Sequence, residues 1–316
     1  NAKFEAKNQE RYRWLEDVRD AKGRRPGEEG YDGRSLLVPK DAYGKFTNFE
    51  RQFWDIKKER FDTVLFFKKG KFYEMFEGDA DVGHRHLHLK LTDRTNMRMC
   101  GIPEGQFSHY ANQLVAKGFK VGRVEQMETL NAMQKRAKDM PKTGQVCERE
   151  LCQVLTQGTL VDDEMLGTPM ANYLLSVTEG SSATGGGGGG GAAEAEFGVC
   201  LLEASTGVFY VGQLADDGML SHLETLLIRA KPREAVYPKG LLRPAAVKLL
   251  KRHLPSTGLS PLDRGDQFWD ADRARRELAS PAYFGGGGGG AKRVQIDETA
   301  NKTPVVEGMA VAGACC

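Results

Sequence analysis

At 316 residues the chain is long enough for about two domains, so a sizeable buried core is expected and a disulfide- or metal-stapled miniature is excluded. With 40% apolar and 28% charged residues, and no uninterrupted apolar run near 20, it reads as a globular chain rather than a membrane span or a wholly disordered tail. The net charge of +2 conceals a split, with 30 Lys and Arg against 24 Asp and Glu over residues 1–150 and 15 against 19 beyond. An excess this small permits a polyanionic partner without announcing one.

Residues 1–45 are polar, with apolar islands at Tyr12, Trp14, Leu15 and at Leu36, Leu37, Val38, and are expected to form an arm that packs onto something else. A helix is expected over residues 48–60, because Phe49, Phe53, Trp54 and Ile56 fall near one stripe. The run Thr63 to Phe67 is β-branched and aromatic, and Gly70 separates it from a second aromatic run, Phe72 to Phe76, which predicts strand, bend, strand. His84, His86 and His88 alternate, as they would on one face of a strand. Ser108 is placed to cap a helix carrying Tyr110, Leu114 and Val115 and ended by Gly118. A strand over 119–125, an amphipathic helix over 127–138 and a β-rich stretch over 152–161 follow.

The second half begins with a strand over 173–178. Strands around 198–202 and 208–213 are joined by a turn at Thr206-Gly207. A helix carrying Leu220, Leu223, Leu226 and Leu227 precedes a strand at Ala235 to Tyr237, which completes a second, smaller α/β domain. The glycine runs 185–191 and 285–290 cannot pack side chains and read as flexible surface insertions rather than phosphate loops. The fold class expected is α/β throughout, with a mixed sheet in the first domain.

Six cysteines, Cys100, Cys147, Cys152, Cys200, Cys315 and Cys316, show no Cys-x-x-Cys zinc spacing and suggest reduced thiols. Asn1 in place of an initiator Met, and Cys315-Cys316 directly after an apolar stretch, suggest a chain cut at both ends.

The segment richest in chemistry is Lys68-Lys69-Gly70-Lys71-Phe72-Tyr73-Glu74. If it is extended, Phe72 and Glu74 project on the same side, so that an apolar plate and a carboxyl face a partner together. A Phe can wedge between base steps, at least cost where a pair is already weakened. Glu looks wrong for DNA, since phosphates repel it, but a carboxyl that forms one hydrogen bond can report on an exposed base. The competing reading is that Phe72, Tyr73 and Phe76 are ordinary core.

Gly70-Lys71-Phe72-Tyr73-Glu74 resembles the Phe-x-Glu mismatch-sensing motif of the MutS family. The flanking segments resemble that family in order and spacing. They are Asp79-Ala80 with Gly83, Gly101-Ile102-Pro103-Glu104, Tyr110 with Leu114-Val115, Lys117-Gly118-Phe119-Lys120-Val121, Arg123-Val124-Glu125-Gln126 with Glu128-Thr129, Arg149-Glu150 and Thr156-Gln157-Gly158-Thr159. Upstream, Arg13-Trp14-Leu15, Arg19-Asp20-Ala21 and Tyr31-Asp32-Gly33-Arg34-Ser35-Leu36 resemble a eukaryotic branch of the family more than the bacterial one. The resemblance covers most of residues 11–178.

It implies an arm over 1–45, a mismatch-binding domain over 46–150, and over 151–316 a connector domain of RNase-H-like fold that stops short of lever, clamp and ATPase domains. It implies that Phe72 stacks on a mispaired base in kinked duplex, that Glu74 hydrogen-bonds to that base, and that Lys69, Lys71 and Arg98 neutralise phosphates, with Gly70 and Tyr73 in support. Discrimination would rest on how easily a site bends and unstacks. The resemblance further implies pairing with MutS homologue 2, a nuclear location, and DNA-dependent ATPase activity with ATP and magnesium in a longer protein. This chain carries no Gly-x-x-x-x-Gly-Lys-Ser/Thr loop, so no cofactor and no catalysis are expected of it. Lys69 departs from the family, where a small apolar residue is expected, residues 93–99 match poorly, and the resemblance assigns no role to the two glycine runs, which dilute the connector match.

Three other readings compete. The alternating histidines could gather a metal, although no fourth ligand is near. An RNase-H-like fold with Glu203, Asp216 and Asp217 could hold two magnesium ions and hydrolyse a nucleic acid, although solvated turn acids would explain the aspartates. A protein-interaction module would keep Phe72 in the core.

Overall fold

The computed structural model describes residues 8, 10–94, 96–136, 138, 145–160, 172–180, 195–254 and 258–278. The chain divides into two compact units, Asn1–Thr156 and Gln157–Cys316. Both glycine runs lie outside the described residues. No helix among the described residues is long and apolar enough to cross a membrane.

In the first unit, short helix α1 (Lys40–Lys45) leads into α2 (Asn48–Lys57). Helix α2 starts where it does because Thr47 accepts from the Glu50 amide while the Glu50 carboxylate accepts from the Thr47 amide at 2.7 Å, a reciprocal cap. Strand β1 (Thr63–Lys69) and β2 (Phe72–Phe76) follow as expected, then α3 (Gly78–Leu87), β3 (Thr92–Arg94), β4 (Met97–Pro103), α4 (Phe107–Ala116), β5 (Lys120–Gln126), α5 (Leu130–Arg136) and β6 (Arg149–Leu155). They form one mixed sheet of order β3-β4-β2-β1-β5-β6, in which β1 and β5 are parallel and the other pairs antiparallel.

Both faces of this sheet are covered, which is why Val64, Leu65, Phe66 and Phe67 are all buried. On one face Leu65, Phe67 and Phe76 meet Phe53 and Trp54 of α2, and on the other Phe66 and Tyr73 meet Phe107 of α4. The arm completes the first of these layers. Tyr12, Leu36 and Ala42 join the α2 aromatics, Arg11 pairs with Glu50 at 2.8 Å, and the Tyr12 hydroxyl donates to the same carboxylate at 2.8 Å. The partner onto which the arm packs is therefore the rest of its own unit.

Two sequence expectations fail here. The segment holding His84, His86 and His88 is α3, not a strand, and residues two apart on a helix do not share a face. Its buried residues, Ala80, Gly83 and Leu87, recur at three and four, and that period outweighs the alternation of the histidines. His88 is the left-handed C-cap, and no group of three metal-ligating side chains occurs among the described residues. Ser108 is not a cap either. A 3-10 turn over Glu104–Gln106 precedes α4, and the helix begins one residue before it. Gly118 does end that helix, at φ +88°.

The second unit contains β7 (Tyr173–Glu179), β8 (Ala195–Glu203), β9 (Val208–Asp216), α6 (Ser221–Ala230), β10 (Glu234–Pro238), α7 (Pro244–His253), β11 (Leu259–Leu262) and α8 (Ala271–Leu278). The sheet order is β11-β10-β7-β8-β9. Strands β7, β8 and β9 form an antiparallel meander, and β10 and β11 add in parallel on the far side of β7. Numbered within the unit, the order is 3-2-1-4-5, as expected of an RNase-H-like sheet. Leu223 and Leu227 of α6 and Ala246, Leu249 and Leu250 of α7 pack with Leu175, Val177 and Phe197.

A buried ion pair ties the helices of the first unit to the sheet. Lys57 Nζ lies 2.6 Å from Asp79 Oδ1 and 2.6 Å from the Thr63 carbonyl, and the Leu65 amide donates to Asp79 Oδ2 at 3.0 Å. Burial pushes the Asp79 carboxyl upward, against the pull of Lys57. Lys57→Met is expected to destabilise the chain by about 3–5 kcal/mol in urea unfolding, with much of that recovered in Lys57→Met/Asp79→Leu.

In the arm, burial would raise the Asp20 carboxyl, but the Arg24 side chain and the amides of Lys22, Arg24 and Asp32 outweigh it and hold the group at about 2. A depressed carboxyl contributes stability above its unfolded value, about 3.9, and loses that contribution as pH falls through its folded value. Asp20→Asn is expected to lower Tm at pH 7, and its deficit against the parent should shrink between pH 4 and pH 2 in thermal melts.

Candidate nucleic-acid interface

The register Lys69↔Phe72 leaves Gly70 and Lys71 alone to connect β1 and β2. Gly70 has φ +60° and Lys71 does not share it, the pattern of a type II′ turn with glycine at its first central position. The Gly70 amide donates to Gln126 Oε1 at 3.0 Å, and Arg149 Nε donates to the Lys68 carbonyl at 2.7 Å. The tip of the hairpin is thus tied to the ends of β5 and β6.

Along β2 only the first residue is displayed. Phe72 is 52% exposed, whereas Tyr73, Glu74, Met75 and Phe76 are buried. This removes the reading of Phe72 as core. Phe72 and Glu74 do lie on one face, as the alternation requires, but they are not displayed together. Glu74 is only 5% exposed, and its Oε2 lies 3.1 Å from Lys69 Nζ. Lys69 stands directly opposite Phe72 and diagonal to Glu74 across the β1–β2 pair, within reach of a long side chain.

Tyr73 faces the other way, onto Phe66 and Phe107. Its hydroxyl meets Glu125 and accepts from Arg123 Nε at 2.9 Å, while Arg123 Nε reaches Glu125 at 2.6 Å. Burial, with help from Glu125, pushes the phenol up to about 12, so it remains a hydroxyl. Lys68 packs its ammonium 4.7 Å from the Tyr73 ring centre and pairs with Glu104.

Of the cations expected at phosphates, Lys71 is exposed on the turn and forms no ion pair among the described residues. Lys69 is turned onto Glu74. Arg98 is not brought to the tip at all. Its backbone pairs with that of Glu77, and its side chain is held by Glu77 and Asp81. Phe72 is opposite Pro103, five residues further along β4, so Arg98 stands about 17 Å away along the strand at 3.3 Å per residue. Sequence reasoning missed Gln126, Arg149 and Phe49 as parts of the tip. The first two stood only in flanking segments of the resemblance, and Phe49 read as helix packing.

The acids considered for metal-dependent hydrolysis do not converge. Glu203 is opposite Val208 and Asp216 is opposite Ala195, at opposite ends of the β8–β9 ladder and about 26 Å apart. Asp216 is not a solvated turn acid but a buried one at the end of β9, accepting from the amides of Asp217, His222 and Leu223 ahead of α6. Asp217 accepts from the Met219 and Ser221 amides. Both aspartates satisfy the entry to a helix.

Residues 47–164 match MutS domain I and residues 172–261 match MutS domain II. DNA mismatch repair protein MSH6 of Arabidopsis thaliana is 40% identical over 279 residues, which is 88% of this chain and 21% of the plant protein. The Saccharomyces cerevisiae protein of the same name is 34% identical over 294 residues, 90% of this chain and 23% of its own length. Msh6 of Homo sapiens is 36% identical over 279 residues, 86% of this chain and 20% of its own. The chain spans about a fifth of the length of these relatives.

Gly70→Val places a β-branched side chain at positive φ and is expected to cost about 1–2 kcal/mol of stability, measured by urea unfolding.

Proposed function

The chain belongs to the MutS family, and on that premise we propose that it recognises mispaired or unpaired bases in duplex DNA as the N-terminal part of a mismatch repair protein. The observation that carries this reading is the display of Phe72, a large aromatic ring half exposed beside a two-residue turn, at the head of a strand whose other residues are buried. In the proposal Phe72 enters the stack from the minor groove, at a step where a faulty pair has already lowered the cost of unstacking. Glu74, directly beneath, forms the hydrogen bond to the displaced base. Lys71 meets the backbone, and Gly70 and Tyr73 hold the tip in place.

Recognition on these terms reads deformability rather than sequence. The longer protein would pair with MutS homologue 2, act in the nucleus, and hydrolyse ATP with magnesium in a domain outside this chain. The 316 residues contain no Gly-x-x-x-x-Gly-Lys-Ser/Thr loop, and Asp216 and Asp217 accept from amides at the entry to α6. Hydrolysis of nucleic acid through Glu203 and Asp216 has no geometric support, since the two stand at opposite ends of the β8–β9 ladder.

In the full-length heterodimer, Phe72→Ala is expected to abolish most of the preference for a G·T duplex over a matched one, while salt-sensitive binding to matched duplex stays within about twofold, measured by fluorescence anisotropy. Equal loss on both duplexes would overturn the wedge.

A further inference from the structure

Three observations converge beneath Phe72. Glu74 is a nearly buried carboxylate, Lys69 Nζ lies 3.1 Å from it, and the same ammonium sits 5.0 Å from the centre of the Phe49 ring. Arg149 brings a second positive charge to this side of the sheet, with its guanidinium 5.2 Å from the Phe49 centre and 5.4 Å from that of Phe67. The Glu74 charge is felt at Arg149, opposing the effect of burial on that guanidinium. Phe49 is thus flanked by two cations, Lys69 paired with Glu74 and Arg149 held by the Lys68 and Cys147 carbonyls and by Gln52.

A duplex carries one negative charge per about 1.7 Å of its axis, so a bare carboxylate at the tip of the hairpin would be repelled by any DNA that Phe72 approaches. A cation on a diagonal strand position can cancel that repulsion only if it stays on the carboxylate, and Lys69 is held there by the carboxylate on one side and the Phe49 ring on the other. Its charge is then spent inside the protein and is not offered to a phosphate.

We propose that Lys69 is a positioning residue for Glu74, masking the carboxylate's charge and holding it under Phe72 so that the acid can lie against a polyanion. This rests on the mismatch-recognition reading and assigns Lys69 a role different from phosphate contact. It also gives a reason for a lysine where the family resemblance leads one to expect a small apolar residue. Lys71, on the turn, is left as the cation that faces the backbone.

The test is a double-mutant cycle in the full-length heterodimer, with a duplex carrying a single G·T pair and its matched counterpart as probes, titrated at several salt concentrations. Lys69→Met is expected to weaken G·T binding about tenfold when residue 74 is Glu and less than twofold in the Glu74→Gln background, with the salt slope unchanged. Lys69→Arg, which keeps the charge, should bind within about threefold of the parent and shows that the site still folds around a side chain of this length. An equal loss in both backgrounds with the salt slope reduced by about one would make Lys69 a phosphate contact and overturn the proposal, as would no loss in either. Phe72→Ala is carried alongside. If it leaves discrimination intact, the wedge reading itself fails, whatever the cycle returns.

Discussion

The arrangement depends on the place of β2 in its sheet. It is hydrogen-bonded on both sides, to β1 and to β4, and both faces of the sheet are covered by helices. Every residue that lies within that enclosure must be packed, and Tyr73, Met75 and Phe76 are. Phe72 escapes because it is the first residue after a two-residue turn, paired with Lys69 at the last rung of the ladder. The same sheet that supplies the core therefore displays Phe72, the one exposed aromatic among the described residues of the first unit, at a position set by the register of β1 against β2.

The polar groups around the tip divide by face. Lys68, Tyr73, Glu104, Arg123 and Glu125 satisfy one another on the α4 side, and Lys69, Glu74 and Arg149 surround Phe49 on the α2 side. Alternation along the strands alone sends consecutive lysines into different networks. A run of three lysines around a glycine suggests in sequence a single basic patch, but in the fold Lys68 and Lys69, both half-buried, have carboxylate partners, and Lys71 is the exposed one of the three. Cations elsewhere in the first half are matched in the same way, Lys57 by Asp79, Lys120 by Asp62 and Arg136 by Glu128.

Much of the fold could be read from the residues. Strong periodic or aromatic runs gave β1, β2, α2 and the β7–β8–β9 meander, and the Leu220–Leu227 spacing gave α6. The errors arose where two periods competed. In α3 an alternation of histidines masked a helical recurrence of Ala80, Gly83 and Leu87, because the small residues on the buried face carry little hydrophobic signal. Helices α7 and α8 went unread, although Pro244 at the first turn of α7 is a start signal. Of the candidate site, Phe72, Gly70 and Tyr73 were legible from local chemistry and resemblance. The burial of Glu74, its contact with Lys69 and the remoteness of Arg98 were not, because each depends on cross-strand register, which no single segment encodes.

The brevity of the β1–β2 turn has a mechanical consequence. With two residues outside the ladder, and the Gly70 amide and Lys68 carbonyl both held by neighbouring strands, the hairpin has no slack through which its tip could flex toward a ligand. A probe mounted this rigidly cannot adapt to what it touches, so any yielding in an encounter has to come from the other body. On the proposed reading, the affinity such a finger records would be a measure of its target's compliance.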